Sequence, residues 1–348
     1  MSNRLLNLKF IFAAVICCSS IIFIGMKLGM QLKNSPVRHE TIFKNPFGIT
    51  FSNGKAYVVN SSGGYVSVLD SMDGRQEKIL MSPEYKFNNI FGVTSNERYI
   101  WVRNFDSITQ INSLNDSLTR VIKVDNGSFN GKGSIAYCGR SLWFATGKEV
   151  LQISENNGQI LKRIDLLKDG LTNPWWLTTE GSDVWVSGQG EQSMVKVNCK
   201  NGSIIRVIDV GFNGSEGDVE ATKDHLWISS LNGIFKLDQN TGMTIKKFTL
   251  HRKGFGGGQI LVEQNSIWAL NDATNMVYRL NRKNGSVRQI FRVKNSVFIP
   301  SAIAMSRERI WILGGEGDAV IILDERTGEM ISFLGSKSSP LPWVAVDY

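Results

Sequence analysis

A chain of 348 residues, 42% apolar and 20% charged, is long and apolar enough to bury a sizeable core, which excludes a disordered chain. Its net charge of +8 is weak ground for nucleic-acid binding. Arg4, Lys9, Lys27, Lys33 and Arg38 stand in residues 1–38, which hold no carboxylate, so the rest carries only +3.

Residues 1–9 form a short basic tail. Phe10 to Met26, FIFAAVICCSSIIFIGM, carries no charge and is flanked by Lys9 and Lys27. That length is at the short limit for a spanning helix, which needs ~17–25 apolar residues. An uncleaved transmembrane signal anchor over residues 10–27 fits best. A cleaved signal peptide wants small residues after the apolar run, whereas more apolar residues follow Cys18-Ser19-Ser20; a lipoprotein signal wants a small residue where Ile16 precedes Cys17. Basic residues are similar on the two sides, so orientation rests on the short tail: tail inside, body outside. The expected location is the cell membrane, single-pass, with an extracytoplasmic body; secretion after signal cleavage is the alternative. Residues 28–44 read as a polar tether.

From residue 45 the chain repeats. Trp101, Trp143, Trp185, Trp227, Trp268 and Trp311 are separated by 42, 42, 42, 41 and 43 residues, and Tyr57 stands 44 before Trp101. A period of ~40–45 residues is the mark of a propeller blade. Each aromatic is preceded by an apolar stretch (FGITF, FGVTS, WWLTT) and followed by an alternating strand (YVSVLD, ITQINS, IFKLDQ). A turn comes next: Asp73-Gly74, Asn157-Gly158, Asn201-Gly202, Thr241-Gly242, Asn284-Gly285 and Thr327-Gly328, with the weaker Asn115-Asp116-Ser117 in the second unit. Asn-Gly and Asp-Gly suit a type I′ hairpin, whose two central residues need positive φ. A last strand closes the unit, so each unit has four short strands. One such sheet cannot bury both faces, but sheets stacked around an axis bury one another, with the aromatics as spacers between them. No long amphipathic helix follows residue 31. The expected fold is all-β: a seven-bladed β-propeller of four-stranded antiparallel blades over residues 45–348, preceded by one N-terminal transmembrane helix. The remnant LPWVAVDY, residues 341–348, resembles the first strand of a unit, and is expected to return to the first blade and close the ring.

Cys138 and Cys199 have no CxxC spacing and no nearby histidine, which speaks against zinc. They read as two unpaired thiols near turns; a disulfide needs a geometry that sequence does not supply. Six Asn-x-Ser sequons, among them Asn201 and Asn284, are explained by turn chemistry.

The stretch NPFGITFSNGKAYVVNSSGGYVSVLD resembles the repeats of YVTN and streptogramin-lyase (virginiamycin B lyase) propellers, and WIS–GIFKLD–TG is similar to NHL-type repeats. The resemblance covers about 300 residues and implies the fold; propellers of this group include enzymes, binding modules and scaffolds. It further implies a metal-assisted lyase built from histidine and glutamate at one channel mouth. Here no Glu-x-His pair occurs, and the nearest match is His251 with Glu216. LDQNTGMTIKKF and LDERTGEMISF partly resemble a quinoprotein docking motif, but read as turns. GFGGGQ lacks the GxGxxG spacing and a following helix, and no CxxCH motif provides for haem. No cofactor and no metal site is expected.

Strand polarity puts the inter-blade loops and the loops between second and third strands on one face. The candidate ligand-binding residues there are Arg103, Lys132, Asn173, Trp175, Glu216, His251 and Asp272, joined by Asp106, Glu191, Asp218, Lys253, Asn271 and Glu316. The expected function is a membrane-anchored extracytoplasmic module that binds a protein, peptide or glycan; the alternative is a streptogramin-lyase-like metal-assisted lyase or hydrolase.

Overall fold

The computed structural model describes residues 37–40, 43–124, 133–188, 191–211, 217–231, 233–250, 257–271, 273–293, 298–335 and 343–347. Arg38–Tyr348 is one compact unit; of the preceding unit, Met1–Val37, only Val37 is described. The proposed anchor at 10–27 lies outside the described residues. Among the described residues no helix is long and apolar enough to cross a membrane.

Seven antiparallel meanders succeed one another, and in each the strand order follows the chain. The innermost strands are Pro46–Ser52, Gly92–Ser95, Ile135–Cys138, Pro174–Glu180, Val219–Thr222, Ile260–Val262 and Pro300–Ser306. Each adjoins the next in a ring that returns from blade seven to blade one. The expected all-β, seven-bladed architecture is what the described residues adopt.

The repeated aromatics are the reason. Tyr57 and the six tryptophans of the register are at most 1% exposed. The core divides into seven clusters, one per blade interface, and each holds one of these rings. Trp101 packs with Leu142 and Phe144 of blade three, Trp143 with Val184 and Val186 of blade four, and Trp311 with Ala56 and Val58 of blade one. A ring of this size buries ~150–250 Å², so truncating one to alanine costs ~3–5 kcal/mol.

The turn between third and fourth strands differs from the type I′ expectation. It is a longer turn in which only the last residue has positive φ: Gly74, Gly158, Gly202, Gly242, Gly285 and Gly328 at 64–79°, and Asp116 at 58°. A polar residue four positions earlier organises each turn. Asp238 Oδ1, for example, accepts the N–H groups of Asn240 and Thr241, both at 2.9 Å, while Gly242 N–H donates to the Asp238 carbonyl at 2.9 Å. The strand preceding or following this turn carries a bulge, as at Lys236/Leu237. The side-chain cap stabilises the first turn atoms without needing two left-handed residues.

Ring closure also differs from expectation. Trp343–Asp347 runs antiparallel to Val287–Val293, the outer strand of blade six, instead of entering blade one. Pro46–Ser52 already fills the first blade's innermost place, so the edge available to the C-terminal strand is an outer one. Val37–Glu40 lies beside Met330–Gly335 on the outer edge of blade seven. Both additions cover strand edges that would otherwise present unpaired backbone. The seam between blades seven and one is held by side chains: Asp318 accepts Lys44 Nζ at 3.0 Å and Asn45 N–H at 2.8 Å, and Ser301 Oγ donates to the Pro46 carbonyl at 2.7 Å.

Cys138 and Cys199 are a disulfide, contrary to the reading as unpaired thiols. Cys138 ends the innermost strand of blade three and Cys199 follows the third strand of blade four, which brings their Cα atoms to 5.6 Å. That is within bridging range. The bond staples two successive blades across 61 residues of chain.

Candidate binding face at the channel mouth

The innermost strands pair on one edge only, and their other edge faces the channel. Their free amides are met by side chains of the preceding blade. Leu177 N–H donates to Ser134 Oγ at 2.6 Å, Ala221 N–H to Thr178 Oγ1 at 3.3 Å, and Ile303 N–H to Gln259 Oε1 at 2.7 Å. Between blades five and six the acceptors are carboxylates: Asp218 Oδ2 takes Ile260 N–H at 3.2 Å and Glu220 Oε2 takes Val262 N–H at 2.7 Å. The channel wall is thereby knitted blade to blade, and every amide so used is one fewer unsatisfied donor.

Burial pushes the Asp218 carboxyl up to about 7, against the pull of its backbone donors. Glu220 is pushed up to about 8 by burial first and by the neighbouring Asp218 charge second. Burial also raises Glu263, with the Glu325 charge adding to it. In Asp218 and Glu220 desolvation penalises the charged form more than the backbone amide bonds reward it.

At the mouth, three blades begin their innermost strand with Pro-x and a register shift: Pro46/Gly48, Pro174/Trp176 and Pro300/Ala302. Proline lacks the N–H that the ladder would use, and the bulge re-aims the next side chain. In blade one that residue is Phe47, 49% exposed. In blade four it is Trp175, half-buried, tilted against Trp176 with ring centroids 5.4 Å apart. The backbone of this bulge is gripped by blade three: Ser134 N–H donates to the Trp175 carbonyl at 2.8 Å and Gly147 N–H to the Pro174 carbonyl at 3.1 Å. Glu191 shapes the preceding loop, its Oε1 accepting Thr172 N–H at 2.7 Å and Asn173 N–H at 3.1 Å, and the Thr172 hydroxyl. Exposed Phe105 and Leu231, in loops between second and third strands, fall on the same face.

Of the residues expected at this site, the structure places Asn173 and Trp175 together at the mouth of blade four, with Glu191 behind them. Arg103 is a correction. It is 2% exposed, and its guanidinium carbon lies 5.7 Å from the Phe91 ring centre and 5.2 Å from that of Phe144. Burial lowers its pKa to about 10. The strand end that looks like a loop start in sequence is covered by the rings of its own and the next blade, so Arg103 is part of the wall and not of the surface. Asn271 is likewise fully buried, while Asp106 is half-buried and Glu316 exposed. Lys132, Glu216, His251, Lys253 and Asp272 lie outside the described residues. Glu220, Phe47 and Phe105 escaped the sequence reading; the Pro-Phe and Pro-Trp starts were the available signal for the aromatic pair. Among the described residues no group of three His, Cys, Asp or Glu side chains is arranged to hold a metal ion.

No family model and no curated protein matches the chain. Solved structures do. A catalytically inactive variant of virginiamycin B lyase from Staphylococcus aureus, crystallised with quinupristin, is 18% identical, with a TM-score of 0.66 over 80% of this chain and 95% of that one. BamB from Moraxella catarrhalis is 13% identical, with a TM-score of 0.55 over 81% and 85%. The WD40 propeller domain of Doa1 is 14% identical, with a TM-score of 0.60 over 81% and 93%. At these identities the likeness is one of fold alone: the described chain is a β-propeller.

Proposed function

We propose that this chain is a membrane-anchored, extracytoplasmic propeller that binds a segment of protein, peptide or glycan across its channel mouth. The observation that carries the binding reading is the set of aromatics re-aimed outward by bulges, Phe47 and Trp175, with Phe105 on the same face. Rigid aromatics on a well-supported backbone are the usual anchors of an interface. The Cys138–Cys199 bond supports an oxidising compartment, and with it a body outside the cytoplasm. The test is photo-crosslinking in cells, with the reactive residue at Phe47 or Trp175 on the mouth and at Leu114 on the opposite face. Adducts from the mouth positions alone support the reading; equal adducts from all three, or none, refute it.

A second reading, lyase chemistry of the streptogramin type, draws on the fold likeness to virginiamycin B lyase. Its candidate residues are His251 and Glu216. Incubation with quinupristin decides it: ring opening that His251→Ala abolishes establishes the activity, and an intact ring rejects it.

A further inference from the structure

The opposite face of the ring, formed by the turns between first and second strands, carries a cavity of about 250 Å³ beneath blade one. It is bounded by the blade-one turn Asn53–Gly54, by Asn96 and Glu97 of blade two and by Arg307 of blade seven, with Phe51 on one wall and Ser71 beside it.

Ser71 is the telling residue. In each blade the residue after the turn-organising polar position sits under the turn between first and second strands; Ser71 N–H, for instance, donates to the Gly54 carbonyl at 2.9 Å. In blades two, three, four and six the side chain there is engaged. Ser113 Oγ donates to the Glu97 carbonyl at 2.8 Å, Glu155 accepts the Tyr137 hydroxyl at 2.6 Å, Cys199 is in the disulfide, and Arg282 donates to the Glu263 carbonyl at 3.0 Å. Ser71 is 1% exposed and its hydroxyl has no hydrogen-bond partner. A buried hydroxyl with nothing to bond is costly, and Ser71 borders the cavity, its hydroxyl just beneath the surface.

Arg307 is the second observation. Arg307 and Glu308 have φ of 49° and 62°, so blade seven makes its two-residue turn from side chains that avoid this region, where blade one uses Asn53 and Gly54. Strain of this kind gathers where a side chain must be aimed. Lys55, the other cation of the cavity, is already held by Asp116 at 2.8 Å. Arg307 is exposed at the cavity's rim, and no ion pair holds it among the described residues. Glu97, also exposed, borders the cavity from the other side, in blade two.

We propose that this cavity is a binding site for a small zwitterion, a free α-amino acid. Arg307 takes the carboxylate through its planar fork, Glu97 takes the ammonium, Ser71 supplies a hydroxyl from the floor, and Phe51 borders the side chain. The volume is below that of a drug-sized pocket, which suits a ligand of this size. The site is independent of the channel mouth.

The test is a thermal-shift screen of the full-length chain in detergent against the standard L-amino acids, followed by calorimetric titration with the best of them. The expected result is saturable binding of at least one amino acid, weakened about tenfold or more in Arg307→Asn and in Glu97→Gln and unchanged in Trp175→Ala. Arg307→Asn has a second expected effect that a merely structural arginine would not show: asparagine is at ease at positive φ, so the variant melts higher while binding more weakly. No saturable binding up to about 10 mM of any amino acid overturns the proposal. So does binding that Arg307→Asn leaves intact.

Discussion

Blade one is the only blade with tyrosine in place of the repeated tryptophan, and blade two the only one with aspartate in place of the left-handed glycine. The two departures meet. Tyr57 donates its hydroxyl to Asp116 Oδ1 at 2.7 Å, and Lys55 pairs with Oδ2 at 2.8 Å. The tyrosine hydroxyl is pushed well above its ordinary value, by burial first and by this bond and the Asp116 charge next. A hydrogen bond to a charged group is worth ~1.5–3 kcal/mol, so Tyr57→Phe is expected to cost about that much, Lys55 still satisfying the carboxylate. Asp116→Gly loses the same bond and a part-buried ion pair of ~0–1 kcal/mol. It regains ~1 kcal/mol from a backbone at φ 58°, where glycine is unstrained. Asp116→Ala has the loss without the regain and falls ~1 kcal/mol lower than Asp116→Gly. The double variant Tyr57→Phe/Asp116→Gly breaks the bond only once, so it costs ~1.5–3 kcal/mol less than the sum of the single variants. Equilibrium urea unfolding, followed by the fluorescence of the buried indoles, measures all four. Additivity within about 0.5 kcal/mol refutes the view that Tyr57 and Asp116 act as one unit.

Reducing the Cys138–Cys199 bond frees a loop spanning 61 residues, which in the chain-entropy account costs ~4 kcal/mol; paired melts with and without reductant check it, and an unchanged midpoint refutes it. Asp318→Ala removes both seam contacts made with Lys44 and Asn45, and is expected to cost ~1–3 kcal/mol, with faster amide exchange at the edges of blades one and seven before the rest of the ring. Asp218 and Glu220 are held above their ordinary carboxyl range, to about 7 and about 8. Between about pH 4 and pH 8 the folded chain therefore binds protons that the unfolded chain, with carboxyls near ~4, has released. Stability falls as pH rises through that window and levels off above it, and Asp218→Asn with Glu220→Gln flattens the slope in denaturation measured at stepped pH.

The ring was legible because its spacers are large, rare residues at one register: six tryptophans and a tyrosine mark seven interfaces before any strand is assigned. What sits across an interface was not. Arg103 looks like the start of a loop because its covering rings, Phe91 and Phe144, come from outside its own strand. The cysteines look unrelated at 61 residues apart, yet a blade period of ~42 carries the end of one blade's innermost strand next to the third-strand turn of its neighbour. The C-terminal strand has the right composition for a first strand, but composition does not say which edge is vacant, and blade one's place is taken by Pro46–Ser52. Turn residues were identified at the right positions; their geometry was misread because an Asx cap and a bulge consume the residues that a two-residue hairpin would not have.

Because the four meander strands of each blade are one uninterrupted stretch of chain, the seam from blade seven to blade one resembles the six junctions that carry a covalent connection, with Asp318 and Ser301 fastening it in place of that connection. The place where the polypeptide begins is then an accident of the circle. Cutting the inter-blade loop elsewhere and bridging the old seam would produce a circular permutant with every interface intact, and the ring would be indifferent to which blade is synthesised first.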